Sequence, residues 1–276
     1  MSLNYTQNEI YLKAFHKMHP GCTSYTRTSL AEGSSFTSYD LLTELIPKTQ
    51  VQLKVLDLAC GDGFLIQQIQ KINKNSKYYG IDMSKEELDM AQKRLNENPV
   101  ELTYGKAQCL PYQDQTFDFI TCHMALMLMD ELETVLSEIK RVIKNGGTFA
   151  SVIPKFDTPS EPRLIYRSLI RPALLESGNQ DRLIALGDPR LQSPNSIIDL
   201  MNRFFQTTSV NVTKVEQIKT LDSAVEYYMI HYGPDLLTDE NREKLELSLR
   251  NEFRKIQNAE GLIDCSASYF TIIGKS

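Results

Sequence analysis

Residues 55–63 read VLDLACGDG. A carboxylate at the end of a buried strand, here Asp57, is costly unless something satisfies it, and glycines just beyond it, Gly61 and Gly63, let another group approach the backbone. A glycine-rich turn from strand to helix first points to a dinucleotide, because open N–H groups at a helix N-terminus attract pyrophosphate. Two features argue against that here. The third glycine of the dinucleotide pattern would fall at Ile66, and the Asp57 carboxylate repels a pyrophosphate. The expected ligand therefore carries positive charge near the loop, with a plain turn as the simpler alternative. Further acids and polar groups recur at the ends of later strand-like runs: Asp82 after KYYGI, Lys106, Ala107 and Gln108 in GKAQ, and His123 in TFDFITCHM.

The elements that would position these residues follow from changes of hydrophobic period. LKVLDLA is a short buried strand, and FLIQQIQKIN then places Leu65, Ile66, Ile69 and Ile72 on one helical face. KYYGID is a second strand, and Ser84 to Glu87 opens the next helix with a capping box. VELTYGKA and TFDFITCHM are further strands. A helix from about Asp130 carries Leu132, Val135, Leu136, Ile139, Val142 and Ile143 inward and is expected to stop at Asn145-Gly146-Gly147, before the strand TFASVIP. Strands alternating with helices imply right-handed crossovers and a mostly parallel sheet, with ligands outside the carboxyl ends of its strands.

The chain has 276 residues, 41% hydrophobic and 24% charged, with 35 acidic and 30 basic residues and a formal net charge of −5. That composition is globular and gives no general basic field for nucleic acid. Cys22, Cys60, Cys109, Cys122 and Cys265 form no C-x-x-C pair, which fits reduced thiols rather than a metal site or a redox dithiol. Cys60 and Cys122 read as small packing residues in preference to nucleophiles. The N-terminal run has no secretory h-region, and no stretch approaches the roughly 20 apolar residues of a membrane span. A cytoplasmic protein without membrane or metal partners is expected.

DLACGDG resembles motif I of the class I S-adenosylmethionine-dependent methyltransferases, an acid followed by spaced glycines, with Ala59 in the first glycine position. The resemblance covers about residues 50–154 and includes Asp82, GKAQCLPY, TFDFI and IKRVIKNGGTF in order. Beyond that it is similar to the broad type 11 group, whose members differ in substrate. It implies a Rossmann-like, doubly wound, mostly parallel seven-stranded sheet with helices on both faces and an added helical lid. The implied cofactor is S-adenosyl-L-methionine. Backbone at Ala59, Cys60, Gly61 and Gly63 would approach its methionine part, with Asp57 holding the ammonium indirectly. Asp82 would accept both ribose hydroxyls, and Met83 would lie on the adenine. Lys106 stands where the family has an acid for the adenine amino group and cannot accept, so Ala107 and Gln108 are left to recognise that edge. Tyr25 and Arg27 would reach the cofactor carboxylate. His123 would be the general base if the acceptor must lose a proton, its alternative being a histidine whose backbone alone lines the site. Asp62 reads as an N-cap or first-turn acid in preference to a catalytic group.

Strand four lacks the Pro-Pro-Tyr pattern of amino-methyltransferases of bases, and Cys122 lacks the proline neighbour expected for carbon methylation of pyrimidines. A small-molecule acceptor, partly hydrophobic and methylated at oxygen or nitrogen, is the expectation, against a nucleic-acid or protein methyltransferase or a cofactor-binding protein without turnover. Residues 1–39 are expected as an N-terminal helical lid, 40–154 as the cofactor core, 155–205 as a proline-punctuated helical cap, and 206–276 as strands and helices completing the sheet. Phe15, Tyr25, Tyr39, Tyr166, His19, Arg27 and Arg163 would give the two flanking segments their acceptor specificity.

Overall fold

The computed structural model describes residues 4–29, 36–96, 99–157, 159–179 and 188–276. Parts of the expected lid (1–3, 30–35) and cap (158, 180–187) lie outside them. Five parallel strands, β1 (Lys54–Leu58), β2 (Lys77–Asp82), β3 (Val100–Tyr104), β4 (Phe117–His123) and β5 (Ile143–Pro154), are joined by β6 (Thr207–Val215) and β9 (Ala267–Lys275). The order is β3-β2-β1-β4-β5-β9-β6, with β9 antiparallel to both of its neighbours. This is the expected seven-stranded, mostly parallel Rossmann-like sheet. β7 (Ile218–Thr220) and β8 (Leu262–Asp264) form a separate antiparallel pair.

One face of the sheet is covered by α6 (Leu132–Val142) and α8 (Pro194–Met201), whose Val135, Leu136, Ile139, Ile197 and Met201 are buried against Leu56, Ile120 and Phe149. The other face carries α3 (Asp40–Thr43), α4 (Phe64–Ile72) and α5 (Lys85–Arg94), with Leu42, Leu65, Ile66, Ile69 and Ala91 inward. Gly63 is required where α4 meets α5: its φ is 75°, and a Cβ there would lie 2.7 Å from Leu95 Cδ1.

Three local expectations change. α6 ends at Val142 rather than at the glycines, because Ile143 already pairs with Phe117 of β4, and Gly146 turns within the start of β5. The capping box expected at Ser84 is half formed: the Ser84 hydroxyl accepts from Glu87 N–H, while the Glu87 carboxylate bonds elsewhere. Residues 155–205 divide. α7 (Glu161–Glu176) joins α9 (Leu221–Met229), α10 (Asp239–Lys255) and the β7–β8 pair around a third core of Tyr166, Leu174, Tyr228, Leu249 and Phe253, whereas α8 belongs to the main sheet. The N-terminal helices α1 (Gln7–Met18) and α2 (Cys22–Thr28) lie over the carboxyl ends of β1, β2 and β4.

Candidate functional site

The carboxyl ends of β1, β2 and β4 open into one cleft with about 1030 Å³ of empty space. Its floor is the β1–α4 loop. Asp57 is buried and accepts from Thr121 Oγ1 at 2.8 Å; burial, with the charges of Asp82 and Asp62 adding, raises its carboxyl to about 7 against the hydrogen bond. Ala59 adopts a left-handed conformation (φ 56°) that a non-glycine residue resists. Gly61 N–H donates to Asp82 Oδ2 at 2.9 Å and Ser84 N–H to Asp82 Oδ1 at 2.8 Å, fixing the Asp82 carboxylate across the loop. Burial raises its pKa, partly offset by the backbone N–H groups of Ser84, Gly61 and Met83 and by the His16 charge.

Gly61 also has a positive φ, but a Cβ there would meet only Glu87, at 3.7 Å. Protein packing leaves room beside it.

Asp57, Ala59, Cys60, Gly61, Asp82 and Met83 line the cleft from the strand-one and strand-two sides, and Lys106, Ala107, Gln108 and His123 from the others. Gly63 acts one step behind the lining, in helix packing. Tyr25 and Arg27 are not brought to the cleft. Tyr25 is exposed and donates to Glu226 at 2.8 Å, and Arg27 turns toward Tyr227 and Tyr269. Asp62 holds the loop shut through Ser24 Oγ and Arg94, both at 2.5 Å, a structural role. Cys60 and Cys122 are buried thiols that burial pushes up, Cys122 to about 12, so neither offers a thiolate.

His123 is buried, hydrogen-bonded through Nε2 to Ser38 Oγ at 2.9 Å and stacked on Tyr39 at 3.8 Å. Burial, with the Arg27 charge adding, holds its pKa well below the usual imidazole value, so it is neutral.

Several groups at the site carry no local sequence signal. Glu9 of α1 is buried in the cleft wall and accepts from Lys106 Nζ at 2.6 Å and from Gln108 Nε2 at 3.1 Å. An acid therefore does stand beside Lys106, supplied from 97 residues away, and Gln108 also bonds Asp130 O. Glu9 is held by a capping box with Thr6, T-x-x-E in the sequence, the one legible hint of it. Glu87 pairs with His16 Nδ1 at 2.8 Å and accepts from Gly21 N–H at 3.0 Å. Burial alone would lower the His16 pKa, but hydrogen bonds to Cys22 and Glu87 reverse that and keep it raised and charged.

The family profile of the methyltransferase domain matches residues 49–177. Residues 49–177 form a class I methyltransferase domain. S-adenosylmethionine is the cofactor of such domains, and the cleft suits it: a ligand with two positive centres and one carboxylate meets a floor of Asp57 and Asp82, with open space at the Gly61 backbone. The demethylmenaquinone methyltransferase of Oceanobacillus iheyensis is 34% identical over 114 residues, 40% of this chain and 46% of the relative. The chain thus spans about half the length of the curated relatives it matches. Two solved structures share the domain's fold. Haemonchus contortus phosphoethanolamine N-methyltransferase 2 aligns at TM-score 0.61 and 16% identity, over 98% of this chain and 60% of that one. The [4+2]-cyclase SpnF aligns at 0.58 and 15%, over 98% and 97%.

Proposed function

We propose that this chain transfers a methyl group from S-adenosylmethionine to an oxygen or nitrogen of a small-molecule acceptor. The observation that carries the reading is the Asp82 carboxylate, locked by Gly61 and Ser84 N–H groups at the mouth of β2 and facing the same cleft as Asp57 and the Gly61 backbone. When bound, the cofactor supplies an electrophilic methyl group on a sulfonium. The chain's own part is alignment and exclusion of water. Met124, Ala125, Leu128, Met129 and Tyr39 form an apolar wall beside His123, where a charge that vanishes during transfer is favoured over one that persists. His123, neutral and fixed by Ser38, holds the acceptor by its free ring edge; as a weak base it serves acceptors that arrive as a neutral amine or an already ionised oxygen. α1 covers the cleft through Glu9–Lys106 and His16–Glu87 and α2 through Ser24–Asp62, which supports reading the N-terminal segment as a lid.

Relatives named for demethylmenaquinone and phosphoethanolamine favour a small acceptor. SpnF, a cyclase on the same fold, is the reason that turnover must be measured as well as binding. Calorimetric titration of S-adenosylhomocysteine and of NAD decides the cofactor. Binding of the first and not the second is expected, and Gly61→Val should abolish it, a larger effect than the loss of melting temperature that a β-branched residue at φ 51° brings. Binding of NAD alone would overturn the assignment. Methyl transfer from labelled cofactor to a pool of small acceptors tests the reaction.

A further inference from the structure

Behind Tyr39 and His123, where α2, α7, α9 and β9 meet, lies a group of cations without counter-ions. Arg27 Nη1 donates to Tyr227 Oη at 2.5 Å and to Tyr269 Oη at 3.0 Å, yet its Nε is shut away from solvent and bonds nothing. Arg163 Nε, from α7, is likewise sealed off and unpartnered. Neither guanidinium is ion-paired among the described residues. The nearby carboxylate of α9, Glu226, is exposed and engaged by Tyr25. Tyr269 also accepts from Gln217 Nε2 at 3.1 Å, so both tyrosine hydroxyls are used as acceptors and keep a proton to give. Two guanidinium Nε–H groups therefore have no acceptor, against one unpartnered acceptor, Gln217 Oε1, and Arg163 lies near enough for its charge to bear on Arg27, Tyr227 and Tyr269. Buried donors and charges are normally matched, and one left unmatched is expensive.

Lys219 is not part of the deficit. Its ammonium, drawn down to about 8 by burial with the Arg27 charge adding, donates to the Thr26 and Ser29 carbonyls and so fixes the end of α2 that carries Arg27. Burial, with the charges of Arg167 and Arg27 adding, lowers the Arg163 pKa as well, the response of a cation with no anion beside it.

We propose that Arg27 and Arg163, with the Tyr227 and Tyr269 hydroxyls, bind an oxyanion of the methyl acceptor, a carboxylate or a phosphate monoester. This rests on the reading of the cleft as a methyl-transfer site. Strand register gives the scale. His123 pairs with Val152 and Val152 with Thr271, and Tyr269 stands two residues nearer the cleft end of β9. Two strand spacings separate β4 from β9, about 10 Å, so the acceptor is compact, with its methylated atom several bonds from its anionic end. Guanidinium is suited to either oxyanion, because its planar donors bond two oxygens at once.

The test uses the full chain saturated with S-adenosylhomocysteine and titrated by calorimetry with inorganic phosphate and, separately, succinate at matched ionic strength. Anion binding that falls at least tenfold in Arg27→Gln and in Arg163→Gln, with S-adenosylhomocysteine affinity within twofold of the parent, is expected. The stronger-binding anion assigns the acceptor's group. A tenfold loss of S-adenosylhomocysteine affinity in Arg27→Gln would instead make Arg27 a ligand of the cofactor's own carboxylate and overturn the proposal, as would anion binding that neither variant weakens. If Arg27→Gln does not fold, the unaltered protein carries the test: a melting temperature raised by phosphate or succinate over chloride, and a rise lost in Arg163→Gln, is expected, and equal melting temperatures overturn it. A parent chain that binds S-adenosylhomocysteine but no anion removes this inference alone; one that binds neither removes the proposed function with it.

Discussion

The floor of the cleft and the α2–α7–α9 flank behind Tyr39 and His123, outside the cleft lining, are built from opposite charges. Around the β1–α4 loop the ionisable groups are mainly acids, buried Asp57, Asp62 and Glu87 and half-buried Asp82, and three half-buried cations beside them, His16, Arg94 and Lys106, are each already paired. Around Tyr227 and Tyr269 stand Arg27 and Arg163, half-buried with Nε sealed from solvent, and the buried Lys219, and only Lys219 has its donors used by carbonyls. The floor is pre-organised by hydrogen bonds within the core domain and from α1 and α2, and its remaining deficit is positive charge. The flank's deficit is negative charge. A cationic cofactor and an anionic acceptor would answer the two separately, which places the ends of a bimolecular reaction in order before any group reacts.

The comparison can be broken at either wall. The largest effect is expected from Asp82→Ala, which removes a fixed double acceptor and frees the Gly61 and Ser84 N–H groups together. Affinity for S-adenosylhomocysteine should fall by about 3 kcal/mol or more by calorimetry, since hydrogen bonds to a charged partner contribute ~1.5–3 kcal/mol each. Phosphate binding at the flank should be unchanged, and an equal fall in both would show that the walls are not independent.

Glu9→Ala should rank next. It strands Lys106 in a nearly buried position and releases Gln108, so undocking of α1 should become easier by about 2 kcal/mol. Hydrogen exchange of residues 7–18 would report it as lost protection, with β1–β5 unaffected. Glu9→Ala combined with Lys106→Met should recover much of that protection. No recovery would mean that Glu9 acts through its cap on α1 alone.

A smaller effect belongs to pH. Asp57 sits at about 7 in the folded protein, above its unfolded value, so the folded state holds this proton more tightly and the Asp57 contribution to stability is lost as pH rises from about 4 through 7. A cation bound above it favours the ionised form. Affinity for the cofactor should therefore rise as pH rises from 6 to 8, by roughly tenfold at most for one linked proton. Asp57→Asn should flatten that profile. A profile unchanged by the substitution would assign the linkage to another group.

The smallest effect is expected from Ala59→Gly, which relieves a left-handed alanine and should stabilise the fold by about 0.5–1 kcal/mol in denaturant titration, with the flank untouched.

What could be read from the sequence tracks the distance over which each residue works. Asp57, Gly61 and Asp82 act within a strand end and the turn after it, so residue type and spacing sufficed to place them in one cleft. Glu9, His16 and Glu87 work across contacts of 66 to 99 residues, and nothing in their own neighbourhood says where they point. Glu87 shows the limit most clearly. Its spacing from Ser84 predicts a reciprocal cap, and tertiary partners took the carboxylate instead, because a buried histidine and a backbone N–H offer it more than an exposed helix end would. The sequence predicts Arg27 at the cofactor carboxylate, and helix α2 turns it instead toward Tyr227 of α9 and Tyr269 of β9, 200 and 242 residues later in the chain. The division of residues 155–205 was hidden for the same reason, since α7 and α8 have similar apolar faces and only their partners differ.

The position of β9 has a consequence for how the chain reaches this state. β5 is a long strand buried over most of its length, and the strand that seals its far side comes from residues 267–275, after α7 to α10 have been made. During synthesis β1 to β5 can assemble while that side of β5 still presents unpaired N–H and C=O groups flanked by Phe149, Val152 and Ile153. Until β9 slots between β5 and β6, the nascent protein carries an open, apolar edge of the kind that recruits other chains. Slow or interrupted translation downstream of Pro154 should thus raise aggregation more than the same delay upstream of it.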